Sequence, residues 1–198
     1  MSKPDKETWM AQRKRAVVEM PEARAHHVGC TFGAGLFIHG GLSGEGNKTL
    51  SDWNLFDLAL QIWINCEVDE VLPDESQVKF AQARKYHTLT PVVEPNITNG
   101  RELTRLMWVC PLQELMRKPS LAEQGMFMFG GINEEGNQTE DLYWITPDIK
   151  TNLKCINNKT GEYKGTAKPE LKLLARRVTP EGRGPIARAQ HSATFFKN

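Results

Sequence analysis

Short apolar runs, cut off by glycine or polar pairs, recur along this chain. Val28-Gly29-Cys30-Thr31-Phe32 alternates between apolar and small or polar positions, and a Gly33-Ala34-Gly35 turn leads into Leu36-Phe37-Ile38-His39. Short β-branched and aromatic runs bounded by glycine predict paired strands. Gly40-Gly41 ends the second run, and a loop over 42–50, rich in Gly, Ser and Asn, leads to a third strand over 53–58. Residues 61–66 predict a fourth, with Ile62 and Ile64 on one face and Trp63 on the other. The result is a four-stranded antiparallel meander. No segment sustains an apolar period of 3.6 residues, which argues against an α-rich fold.

The same order returns further on, with expansions. Strands are predicted over 86–93, 126–129 and 141–145. Residues 94–124 form an insert between the first two, opening with Pro95, Asn96, Asn99 and Gly100 and then turning apolar. Pro111 inside it argues against one long helix, so a strand over 105–110 and a short helix over 112–117 fit. For the fourth strand of this second unit there are two candidates, 153–156 and 171–178, the other belonging to an inserted hairpin. Residues 15–18 predict a further strand of the fourth type ahead of the first unit.

Each unit carries the same punctuation. Arg24 and His27 precede the first, and Arg84 and His87 the second. Gly40-Gly41 and Gly130-Gly131 close the second strands. A third opening, Arg188-Ala189-Gln190-His191, follows near the last residues. Self-similarity at such a period signals a repeat architecture. Together with Tyr143 in one third strand and Trp63 in one fourth strand, these signals resemble the kelch repeat, the blade of a β-propeller. Two positions depart from the pattern: Asn54 stands where the second unit has Tyr143, and Leu153 where the first has Trp63.

The resemblance implies an all-β, incomplete ring of four-stranded blades, with one mixed insert at 94–124. Its divisions are an N-terminal extension with a preceding or closing strand (1–20), a first blade (21–82), a second blade with inserts at 94–124 and about 157–170 (83–180), and the start of a third (181–198). Propellers close with 4 to 8 blades, so further blades, of this polypeptide or another chain, are expected to complete the ring. A Gly-Gly pair permits a sharp strand exit where blades crowd together. The recurring arginines and histidines are read as buried polar ties between blades. His26, His27, His87 and His191 recur because the unit recurs, so they are read as structural and not as metal ligands.

Composition narrows the classes. The 198 residues are 39% hydrophobic and 25% charged, which is ordinary for a folded chain. A net charge of +1 supplies no field for nucleic acid, and no run approaches the length of a membrane span. Cys30, Cys66, Cys110 and Cys155 are widely spaced, without the pairing of a zinc site, and read as reduced thiols of a cytoplasmic protein. Asn-x-Ser/Thr sites at Asn47, Asn96, Asn137 and Asn158 then read as loop residues.

No phosphate-binding glycine loop, zinc spacing or Ser-His-Asp order is found. The kelch resemblance implies a scaffold, adaptor or substrate-recognition module that binds a protein partner, with no cofactor. It also implies that the loop between first and second strands reaches the binding face. In the second unit that loop is the insert, whose Arg101, Arg105 and Trp108 are types enriched at interface hot spots. Two alternatives stand beside this: the structural or regulatory arm of a larger enzyme or cytoskeletal assembly, and a relative of kelch-type copper oxidases. For the second, none of Tyr86, Tyr143 and Tyr163 sits in a Cys/Tyr/His constellation.

Overall fold

The computed structural model describes residues 20–32, 35–46, 48–58, 61–92, 124–148 and 171–195. All secondary structure among them is β. The first unit comprises β1 (Arg24–Ala25), β2 (Val28–Phe32), β3 (Gly35–His39), β4 (Leu42–Ser43), β5 (Trp53–Asp57), β6 (Ile62–Val71) and β7 (Gln77–Lys79). The second comprises β8 (Arg84–Lys85), β9 (Thr88–Val92), β10 (Gly125–Phe129), β11 (Ile132–Asn133), β12 (Leu142–Pro147) and β13 (Leu171–Arg177).

Two antiparallel meanders, β2-β3-β5-β6 and β9-β10-β12-β13, have the order that the alternation predicts. Their registers match. His39 faces Trp53 and Ile38 faces Asn54 across β3 and β5, while Phe129 faces Leu142 and Met128 faces Tyr143 across β10 and β12. Asn54 and Tyr143 therefore do occupy equivalent positions. Small ribbons, β1 with β4 and β8 with β11, tie each opening to the segment just past its glycine pair.

Several details were not legible in the pattern. The fourth strand of the second unit is β13, at 171–177, which answers the choice left open; 153–156 lies outside the described residues. Phe56 faces Trp63 in the first unit and Ile145 faces Ala175 in the second, so the Trp63 position is taken by Ala175 and not by Leu153. A small side chain suits it, because Ala175 is fully buried. Gly35, expected in the turn, begins β3, where a Cβ would collide with the Leu55 side chain. The fourth strand of the first unit runs five residues past the expected Cys66, to Val71. Beyond Cys66, β6 pairs in parallel with β13, Leu171 facing Cys66 and Arg176 facing Val71, and β7 folds back on it. Parallel pairing needs a long crossover, which is why local pattern does not announce it. The expected strand at 15–18, the insert from 94 to 123 and the hairpin at about 157–170 lie outside the described residues.

The sheet thus runs out from β2 to β6, crosses to β13 and returns to β9, which comes back beside β2. Pro91 is tolerated because β9 is a terminal strand of this path. One core fills the space between the halves. Phe37, Trp53, Leu55 and Ile64 of the first unit join Met126, Met128, Ile145, Leu171 and Leu173 of the second, all at most 1% exposed. Cys30 Sγ lies 3.4 Å from Met126 Sδ, and the Phe80 and Tyr143 rings meet edge to face at 5.0 Å. Burial on this scale is the main stabilising term, since each large apolar side chain contributes roughly 1.5–3 kcal/mol. The two units are therefore halves of one folded body.

Candidate functional site

Chemistry-bearing side chains collect where one unit meets the next, at the opening arginines, the histidines and the glycine pairs. Gly40 and Gly41 adopt φ of 64° and 101°, and Gly130 and Gly131 adopt 65° and 96°. Such values are accessible to glycine at little cost. Space imposes the same choice. A Cβ on Gly41 would come within 2.6 Å of the Ala25 carbonyl and 2.9 Å of His27, and one on Gly131 within 2.7 Å of His87 Cβ.

The buried backbone of these corners, free of side chains, holds the next unit. Gly41 N–H donates to the Arg84 carbonyl (2.7 Å), and Arg84 N–H donates to the Leu50 carbonyl (3.1 Å). One unit later Gly131 N–H donates to the Arg188 carbonyl (2.8 Å), and Arg188 N–H donates to the Thr139 carbonyl (3.3 Å). Tyr86 N–H donates to the His26 carbonyl and Gln190 N–H to the Tyr86 carbonyl, at 3.1 and 3.0 Å. These last three residues share φ of 57–59°, a left-handed conformation rare for bulky side chains. Its recurrence at one place in every opening ties the strain to the cross-unit bonds.

Arg84 uses its backbone for the preceding unit and its side chain for its own, and Arg24 likewise turns its side chain to its own unit. Arg24 grips Asp52 through both terminal nitrogens, at 2.6 and 2.7 Å, and donates to the Gly40 carbonyl at 3.1 Å. Asn54 donates to the same carboxylate, which the Arg24 and Asn54 bonds hold below its ordinary pKa although burial pushes it upward. Arg84, fully buried, donates to Gly130 O (3.0 Å), Thr139 Oγ1 (2.9 Å) and Asp141 Oδ2 (2.8 Å). Arg177 reaches the other oxygen of Asp141 at 2.6 Å. The planar guanidinium fork, with five donors in fixed geometry, serves carboxylate and carbonyl together. Arg188 is exposed, and its one described side-chain bond is from Nε to the Ile186 carbonyl.

The histidines grade likewise. His87 is buried and meets His39 in a 2.9 Å hydrogen bond between Nε2 and Nδ1, while His39 stacks on the Trp53 indole at 4.2 Å. Burial is the largest cause holding both neutral: His87 is lowered to about 3, with Arg84 next, and His39 well below its ordinary value, with His87 next. His27 and His191 are lowered by burial and by their neighbouring arginines. His191 instead meets Thr88 Oγ1 at 3.1 Å and the Phe129 ring, because Phe129 stands where the first unit has His39. Burial pushes the Cys30 thiol up to about 12 and Cys66 higher still, so neither supplies a thiolate near neutrality. Among the described residues no three His, Cys, Asp or Glu are grouped to hold a metal ion. No described helix is long and apolar enough to cross a membrane.

All the motif residues except Trp63 converge on these junctions. Trp63 lies half-buried on the outer face, 5.1 Å from Phe56, and Tyr143 sits in the core with Arg84 Cζ 5.6 Å from its ring centroid. Arg101, Arg105 and Trp108 lie outside the described residues. Sequence reasoning missed His39, Trp53, Thr139, Asp52 and Asp141. The two aspartates had a usable signal: each follows a glycine pair and stands directly before the third strand. A cleft of about 350 Å³, lined by Asp52, Trp53, Glu67, Asp69, Lys79 and Phe80, opens where β5 and β7 diverge along β6. In comparisons with known proteins, no family model matches this chain and no curated protein matches it.

Proposed function

We propose that this chain is a segment of a kelch-type β-propeller and acts as a protein-interaction module, the scaffold, adaptor or substrate-recognition part of a larger protein or assembly. Residues 21–82 and 83–180 are its blades and 181–198 begin a third. The observation that carries this reading is the junction built twice in succession, with the same hydrogen bonds from Gly41 and from Gly131 to the following arginine carbonyl. A unit that docks on its neighbour through identical backbone bonds is the element of a repeat array. In such arrays the scaffold is rigid and the loops carry recognition.

The side-chain chemistry favours binding over catalysis. The described histidine pair is neutral and the two described thiols are protonated near neutrality, so none of these groups is poised for proton transfer or nucleophilic attack. Protonated, widely spaced thiols also accord with a reducing, cytoplasmic setting. Arg101, Arg105 and Trp108 of the insert are the proposed contact residues, on the grounds of residue type.

The test is capture from cells by the full chain, with bound proteins identified by mass spectrometry. A stoichiometric partner held by the wild type and lost by the Arg101→Glu, Arg105→Glu variant, with an unchanged circular-dichroism spectrum, is the expected result. Undiminished capture removes the insert from the interface.

A further inference from the structure

We draw no further inference here: the strongest candidate, the cleft of about 350 Å³ where β5 and β7 diverge along β6, is an acidic cluster in which Asp52 already holds Arg24 and Asp69 already holds Lys172, and the unpartnered Trp53 indole nitrogen beside it is buried from solvent, so nothing there points to a ligand.

Discussion

Replacing Arg84 with alanine tests the junction at its most enclosed point. The guanidinium is fully buried and serves Gly130 O, Thr139 Oγ1 and Asp141 Oδ2 at 2.8–3.0 Å, with a weaker contact to Gln82 Oε1 at 3.4 Å. Truncation strips the Gly130 carbonyl and the Thr139 hydroxyl of this donor, and a buried polar group left unpaired costs about 1–3 kcal/mol. Breaking a buried ion pair costs about 3–5 kcal/mol. Here that figure is discounted, because Asp141 keeps Arg177 at 2.6 Å and its side chain is 22% exposed. The sum falls at about 4 kcal/mol. At the equivalent Arg24 the acid is 38% exposed and can turn to water, so Arg24→Ala should cost about 2 kcal/mol. Arg188 is exposed and holds no acid among the described residues, so Arg188→Ala should stay within about 0.5 kcal/mol in dilute solution. Urea titration reads all three as shifts in midpoint at constant slope. The reasoning is refuted if Arg188→Ala costs as much as Arg84→Ala, or if Arg84→Ala costs less than about 1 kcal/mol.

Two further predictions concern the corners and the histidine pair. Gly131→Ala combines a φ of 96° with contacts of 2.7–2.8 Å to His87 and Lys85, whereas Gly136→Ala at φ 85° meets nothing within 4 Å. The first should therefore cost about 3 kcal/mol and the second about 1 kcal/mol in the same titration, and equal costs would show that backbone strain alone matters. His87 is held neutral down to about pH 3, against 6.5 for the free side chain, so the unfolded chain binds the extra proton between those values. Stability present above pH 6.5 is then lost as the pH falls toward 3, by at most about 1.4 kcal/mol per pH unit for each such histidine. His87→Gln should flatten that acid limb in a pH series of unfolding midpoints, and an unchanged slope would assign the loss to other groups.

What the sequence by itself determined is local. Alternation placed β2, β3, β5, β10 and β12 to within a residue or two of their observed limits, because one-sided burial imposes a period of two on any strand that faces a core. The glycine pairs were legible for a similar reason: φ near 65° and 100° with a neighbour's backbone in van der Waals contact admits no other side chain, so the requirement is written in the residue itself. The recurrence of Arg24, Arg84 and Arg188 announced the junctions, though not their carboxylates.

Tertiary structure decided whatever depends on a distant partner. The continuation of β6 to Val71 and its parallel pairing with β13 arise because the outer strands of the two units converge, and nothing in Glu67-Val68-Asp69-Glu70 carries that fact. The same convergence selected 171–177 over 153–156 as the second unit's fourth strand. His39 and His87 lie far apart in sequence, and their contact follows from the docking of one sheet on the other. The left-handed backbone of His26, Tyr86 and Gln190 runs against local preference and is sustained by bonds between units. Local sterics can be read from neighbours in the chain; a hydrogen bond across an interface is settled only when the interface forms.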